Sequence, residues 1–129
     1  MDHAAQETLL FFDGHTDALP LFTAFEEKLY ALFPDTGKRV QKTQITYFNR
    51  HVFACVSFLR AKKKAELPPA YITLTLGLPY ALQSGRVAVA VEPYPGRWTA
   101  HFVIGSLSDL DGELFDWVKE AYDFAQGKR

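Results

Sequence analysis

The stretch Arg97-Trp98-Thr99-Ala100-His101 alternates in polarity, and a strand's period of two puts Arg97, Thr99 and His101 on one face. The same alternation in neighbouring stretches adds Lys42 and Gln44, Tyr71 and Thr73, and Arg86 and Glu92 to polar rows. A lysine, two arginines and a histidine beside hydroxyls and an amide suit a carboxylate, a phosphate or a similar anion. If the rows share a sheet face, all nine positions can converge on one site, with Tyr47 and Tyr94 as apolar walls. Trp98 has the opposite parity and is expected to face the other way. The plainer reading of the same residues is the solvated side of a half-buried sheet.

Other chemistries lack parts. The chain has no GxSxG elbow, no P-loop and no GxGxxG. The enzyme alternative is a small hydrolase-like protein using His101, with Glu92 across neighbouring strands as its general-base partner. Cys55 lies in an apolar stretch with no electropositive neighbour in sequence, which predicts an inert core thiol. Asp13-Gly14-His15-Thr16-Asp17, followed by Glu26 and Glu27, offers metal-ligand types, but Asp and Thr at a helix entry are also what capping requires. His3 and His51 have no partner at ligand spacing. No metal and no cofactor is expected.

The elements that must position these residues follow from periodicity. Phe22, Phe25, Leu29, Leu32 and Phe33 recur at helical spacing after Asp17, a candidate N-cap, and Pro34 ends the run. A shorter helix over about 6–12 precedes it. A last helix follows Ser108-Asp109-Leu110-Asp111, a capping-box pattern, with Leu110, Leu114, Phe115, Val118 and Ala121 as its stripe. Between the helices, Val40–Phe48, Val52–Leu59, Tyr71–Leu76, Val87–Glu92 and Arg97–Ile104 read as five strands. Val87, Val89 and Val91 are assigned to the helix-facing row, with Phe102 and Ile104. The second strand is apolar on both sides, so it is placed centrally with something over its far face. The connections are mostly too short for crossover helices, so pairing is mainly antiparallel. The fold class predicted is α+β: a two-layer sandwich with N-terminal helices, a five-stranded sheet and a C-terminal helix.

A chain of 129 residues with 48% hydrophobic and 22% charged residues reads as a single domain, 1–129, with one core. No apolar run approaches the roughly 18 residues of a membrane span, and the N-terminus lacks a signal-peptide pattern. One cysteine excludes an internal disulfide, and the expected location is cytoplasmic. The net charge of −1 conceals a segregation. Residues 1–35 carry seven acids and one base, 36–65 eight bases and no acid, and 66–129 eight acids and five bases. The basic block, with Arg60, Lys62, Lys63 and Lys64, raises a nucleic-acid reading, but no ribonucleoprotein, glycine-clamp or helix-turn-helix signature accompanies it.

Lys42-Thr43-Gln44-Ile45-Thr46-Tyr47, Phe53-Ala54-Cys55-Val56 and Glu92-Pro93-Tyr94-Pro95-Gly96-Arg97-Trp98-Thr99-Ala100-His101 resemble a family of small bacterial domains of unknown function. The family's motifs are Lys-[Ser/Thr]-Gln before an alternating strand and Pro-x-Arg-Trp-x-His-His. This chain keeps Arg97, Trp98 and His101 but has Ala100 at the first histidine. The resemblance spans nearly the whole chain and implies an α+β fold with no established activity. Members occur alone or fused to other domains, some nuclease-like. The helix–sheet–helix order also looks like that of frataxin-type domains, at the level of fold alone. The reading that results is a non-catalytic binding module for an anionic small molecule or peptide group, with the hydrolase-like enzyme and a weak nucleic-acid accessory domain as alternatives.

Overall fold

The computed structural model describes residues 3–127. The side chain of His3, considered above as a ligand, lies outside what it describes. Helix α1 (His3–Phe11) leads through a short 3-10 turn (Thr16–Ala18) into α2 (Leu19–Leu32). Six strands follow: β1 (Gly37–Val40), β2 (Gln44–Phe48), β3 (Val52–Ser57), β4 (Ile72–Leu78), β5 (Val89–Tyr94) and β6 (Arg97–Ile104). Helix α3 (Gly112–Gly127) closes the order. The strands form one antiparallel sheet in the order β1-β2-β3-β4-β6-β5. The α+β class and its helix–sheet–helix order are as the periodicity predicts.

The sheet has six strands rather than five because the chain reverses inside the stretch expected as one strand. Gln41 N–H donates to the Gln44 carbonyl at 2.9 Å, and the turn separates β1 from β2. Neither glycine nor proline marks it, so a polar alternation runs straight through the reversal.

Hydrophobic burial fixes which face the helices cover. Phe22, Phe25 and Leu29 from α2 and Leu114, Val118 and Ala121 from α3 join Ile45, Val56, Leu74, Leu76, Phe102 and Ile104 in one buried cluster. On β6 the even positions Ala100, Phe102 and Ile104 are buried and the odd ones are half-exposed, the alternation expected of a sheet covered on one side. β3 and β4 form the middle pair, as the apolar character of β3 requires. A bulge explains its two-sided apolarity. Tyr47 pairs with Ala54 and Phe48 with Val52, so Phe53 is an extra residue. It is fully buried, with its ring edge-on to Tyr122 of α3 at 5.2 Å. Cys55 and Ser57 keep to the opposite face.

Three local expectations are corrected. Val89 and Val91 pair with His101 and Thr99 and are 38% and 47% exposed, so they stand on the uncovered face. Only Val87, before the strand proper, packs against the core. An edge strand of valines satisfies either parity, and the register with β6 decides. The capping box lies two residues earlier than expected: Asp109 accepts from Ser106 N–H at 3.1 Å, while Asp111 caps α3 by accepting from Leu114 N–H at 3.0 Å. Asp17 falls within the 3-10 turn, and Ala18 occupies the N-cap of α2 with no side-chain cap.

Charge follows the layers. Helices α2 and α3 carry six carboxylates and two lysines. The six strands carry one carboxylate, Glu92, against Lys38, Arg39 and Arg97. Lys38 turns to the helix side, where it pairs with Glu26 at 2.9 Å. Glu26 also accepts the buried Tyr47 hydroxyl at 2.7 Å. No helix among the described residues is long and apolar enough to cross a membrane.

Candidate functional site

The pairing registers align one row of side chains across the uncovered face: Thr46, Cys55, Thr75, His101 and Val89, on five successive strands. The adjacent row is Gln44, Ser57, Thr73 and Val103. Over the β2–β3–β4–β6 part of these rows lies a cavity of about 490 Å³. Gln44, Cys55, Ser57, Thr75 and His101 form its floor, and Lys42 and Thr43 of the β1–β2 turn form one rim. Phe11 of α1 with Phe58 and Leu59, just past β3, form an apolar wall. That wall is braced: Phe58 stacks on Phe11 at 5.3 Å and on the His15 ring at 3.9 Å. His15, read above as one member of an oxygen-rich loop, therefore serves the packing of the wall.

His101 and Thr75 share a hydrogen bond of 2.7 Å between Nδ1 and Oγ1, which fixes the ring on the floor. Burial lowers the His101 pKa below its usual 6.5, so the imidazole is neutral at pH 7 and offers a polar contact rather than a charge. Gln44 donates from its side-chain amide to Gln41 and Thr46, which leaves its carbonyl oxygen unused by these bonds. Lys42 is exposed and has no carboxylate partner among the described residues. The lining contains no carboxylate.

The nine positions read from the sequence divide into groups. Lys42, Gln44 and His101 meet in the cavity. Tyr71 and Thr73 brace it: Tyr71 donates to the Phe58 carbonyl at 3.2 Å, and fully buried Thr73 to the Leu59 carbonyl at 2.6 Å. Arg97 lies on the uncovered face beyond the cavity, its guanidinium against Gly77, where a Cβ would stand 2.9 Å from it. Thr99 donates to the Val91 carbonyl, and Glu92 accepts from Gly96 N–H in the β5–β6 hairpin. Arg86 is on the other layer, pairing with Asp111 at 2.8 Å and Glu113 at 3.0 Å above the Trp117 ring. The wall tyrosines are elsewhere too, Tyr47 buried against Glu26 and Tyr94 exposed at the hairpin.

Sequence reasoning missed Thr75, Cys55, Ser57, Phe11 and Phe58. Thr75 and Ser57 carry the same parity signal as Thr73, whereas Phe11 and Phe58 carry none, because helix-to-loop stacking has no sequence period. Cys55 corrects an expectation: the thiol is half-buried on the cavity floor, not in the core. Burial raises its pKa, and the Thr46 hydroxyl and the charge of Arg97 offset part of that rise. A disulfide reagent such as DTNB is expected to label Cys55 slowly at pH 7 in the folded protein and faster as pH rises. Rapid stoichiometric labelling at pH 7, or labelling only after unfolding, contradicts this placement.

In a larger hollow of about 660 Å³, lined by α1, α2 and Lys38, the lysine is already paired with Glu26, which also accepts the Tyr47 hydroxyl, and Glu27 adds a second carboxylate. The uncovered-face cavity instead holds Lys42, which has no carboxylate partner among the described residues. No curated protein and no solved structure matches the chain. A family model described as a domain of unknown function (DUF5655) matches residues 10–125, which takes in the sheet, the cavity and both covering helices. By that match the chain belongs to the DUF5655 family.

Proposed function

We propose that this domain is a binding module that takes a small anionic molecule, or an anionic group of a peptide, in the cavity on its uncovered sheet face. The observation that supports it is the lining. An unpaired lysine, an amide carbonyl flanked by hydroxyls and a neutral imidazole surround a space with an apolar wall and no carboxylate. A ligand with an apolar body finds the Phe11–Phe58 wall, and its anionic end finds Lys42. Catalysis has less support. The residue opposite His101 on β5 is Val89, and Glu92 is held by the hairpin, so the expected general-base pair does not form among the described residues.

Sulfate, whose charge is constant between pH 5 and 8, is a suitable probe, followed by NMR shifts of the cavity residues. Lys42→Ala is expected to weaken sulfate binding by about 1 kcal/mol, the upper end for one solvent-exposed ion pair. Lys119→Ala, whose ammonium pairs with Asp123 on the opposite layer, leaves it unchanged. Wild-type affinity rises as pH falls below 6.5 and through the depressed His101 pKa, because the imidazolium adds a positive charge to the floor. His101→Gln abolishes that rise. Shifts that avoid the cavity, or equal losses from Lys42→Ala and Lys119→Ala, overturn the reading.

A further inference from the structure

The cavity's rim continues into the most basic surface of the molecule. β2 and β3 are antiparallel with Gln44 opposite Ser57, so the turn carrying Lys42 meets the chain leaving β3 at Leu59. Arg60, Lys62, Lys63 and Lys64 follow at once, and the Thr73 bond to Leu59 and the Tyr71 bond to Phe58 tie the start of that loop to the sheet. All five cations are exposed, and none has a carboxylate partner among the described residues. The acids near this end are Glu7 of α1, which lines a small hollow with Phe11 and Lys42, Asp13 and Asp17 either side of His15, and Glu66 in the loop itself, four against these five cations. Elsewhere Lys38 pairs with Glu26, Arg86 with Asp111 and Glu113, and Lys119 with Asp123, while Lys28 donates to the Leu110 carbonyl and Arg39 lies over the Phe48 ring. Arg50, in the β2–β3 turn, and Arg97, at the start of β6, stand singly toward the other end of the sheet, so the run of several adjacent unpaired cations is the one beside the cavity.

We propose that the cavity and this loop form one extended site whose ligand carries several phosphates in a row, the first held at Lys42 and the rest along Arg60–Lys64. This rests on the anion-binding reading above and names its ligand class. A single carboxylate or phosphate would use the cavity alone and leave four cations idle. An oligophosphate presents successive charges along its length, and lysine ammoniums engage phosphate as mobile point charges without a fixed bidentate geometry. From Arg60 to Lys64 the loop spans at most roughly 14 Å, at about 3.5 Å per residue, a length that matches a short phosphate chain rather than one ion.

The test titrates orthophosphate, pyrophosphate and tripolyphosphate at one pH and salt concentration into wild-type protein, Lys42→Ala and the triple variant K62A/K63A/K64A. Calorimetry supplies affinities and NMR supplies the site. Tripolyphosphate is expected to bind at least about tenfold more tightly than orthophosphate, with shifts running from Thr75 and His101 through Lys42 to Lys64. The triple variant removes most of that gain, roughly tenfold for three exposed charges, and leaves orthophosphate affinity within about twofold. Equal affinity for all three anions, or a gain that survives the triple variant, overturns the extended site and leaves the cavity reading standing. Orthophosphate binding that ignores Lys42→Ala overturns both. A single-stranded oligonucleotide separates the sources of phosphate. Competition with tripolyphosphate at the same residues, with affinity falling steeply with salt, assigns the ligand to a nucleic-acid backbone. Its failure to compete, with tripolyphosphate still bound, assigns it to a free oligophosphate; either supports the proposal.

Discussion

Replacing Phe102 by alanine is expected to cost about 3–5 kcal/mol of folding stability, through the lost burial of the ring and the cavity left behind. Phe102 is 1% exposed at the centre of β6, with its ring stacked on Trp117 of α3 at 5.5 Å. Trp117 in turn lies under Arg86, whose guanidinium is held by Asp111 and Glu113 at the start of the same helix. Truncation therefore opens the sheet–helix seam at a point where the surroundings are pinned by ion pairs and relax little. Urea denaturation followed by circular dichroism measures the loss, compared with Val91→Ala on the uncovered face, which should stay within about 0.5 kcal/mol. A loss below about 1 kcal/mol from Phe102→Ala contradicts the assigned face.

The second large effect is a loss of stability in alkali. Tyr47 is fully buried, and its pKa is raised well above the ordinary 10.0, first by burial and then by the Glu26 charge and hydrogen bond. The folded state thus keeps this proton when the unfolded chain has released it. The contribution is complete below about pH 10, where both states hold the proton. Above it, stability falls by about 1.4 kcal/mol per pH unit for each such proton, until the folded pKa is reached. Tyr47→Phe removes the titrating group while leaving Glu26 with Lys38. At neutral pH the variant is less stable than wild type by about 1–3 kcal/mol, the cost of a lost hydrogen bond to a charged group. Between pH 10 and 12 the difference narrows or reverses. A difference that stays constant from pH 8 to 12 in parallel urea titrations means that Tyr47 is not the group that titrates.

The sequence made the core legible because period and burial are tightly coupled there. Phe25, Leu29, Leu114, Val118, Phe102 and Ile104 recur at helix or strand spacing, and all are buried in one cluster. Legibility failed where the chain turns without a turn residue, at Gln41-Lys42-Thr43, and where an edge strand offers valine to both faces, at Val89 and Val91. It failed at the bulge, where Phe53 takes the side that simple alternation denies it. For the site, parity brought Gln44 and His101 to one face, while Lys42 reaches the cavity from the β1–β2 turn, which alternation does not describe. Parity sent Arg86 to that face too, because alternation was extended back past the first paired residue of β5 into a segment that packs on the helix layer. Phe11 and the floor thiol needed the third dimension: one comes from a distant helix, and the other sits in a strand whose neighbours all look like core.

The layering of charge also sets how fast an anion arrives. A net charge of −1 has almost no pull at long range, yet acids on the helices and cations at the sheet's rim make the molecule an electric dipole. Within about one Debye length, about 8 Å at physiological salt, an approaching polyanion meets attraction at one side and repulsion at the other. Encounters are thereby oriented before any contact forms. Association rates for multiply charged ligands should accordingly fall with added salt more steeply than the total charge suggests, while dissociation rates, set by contacts already made, change less.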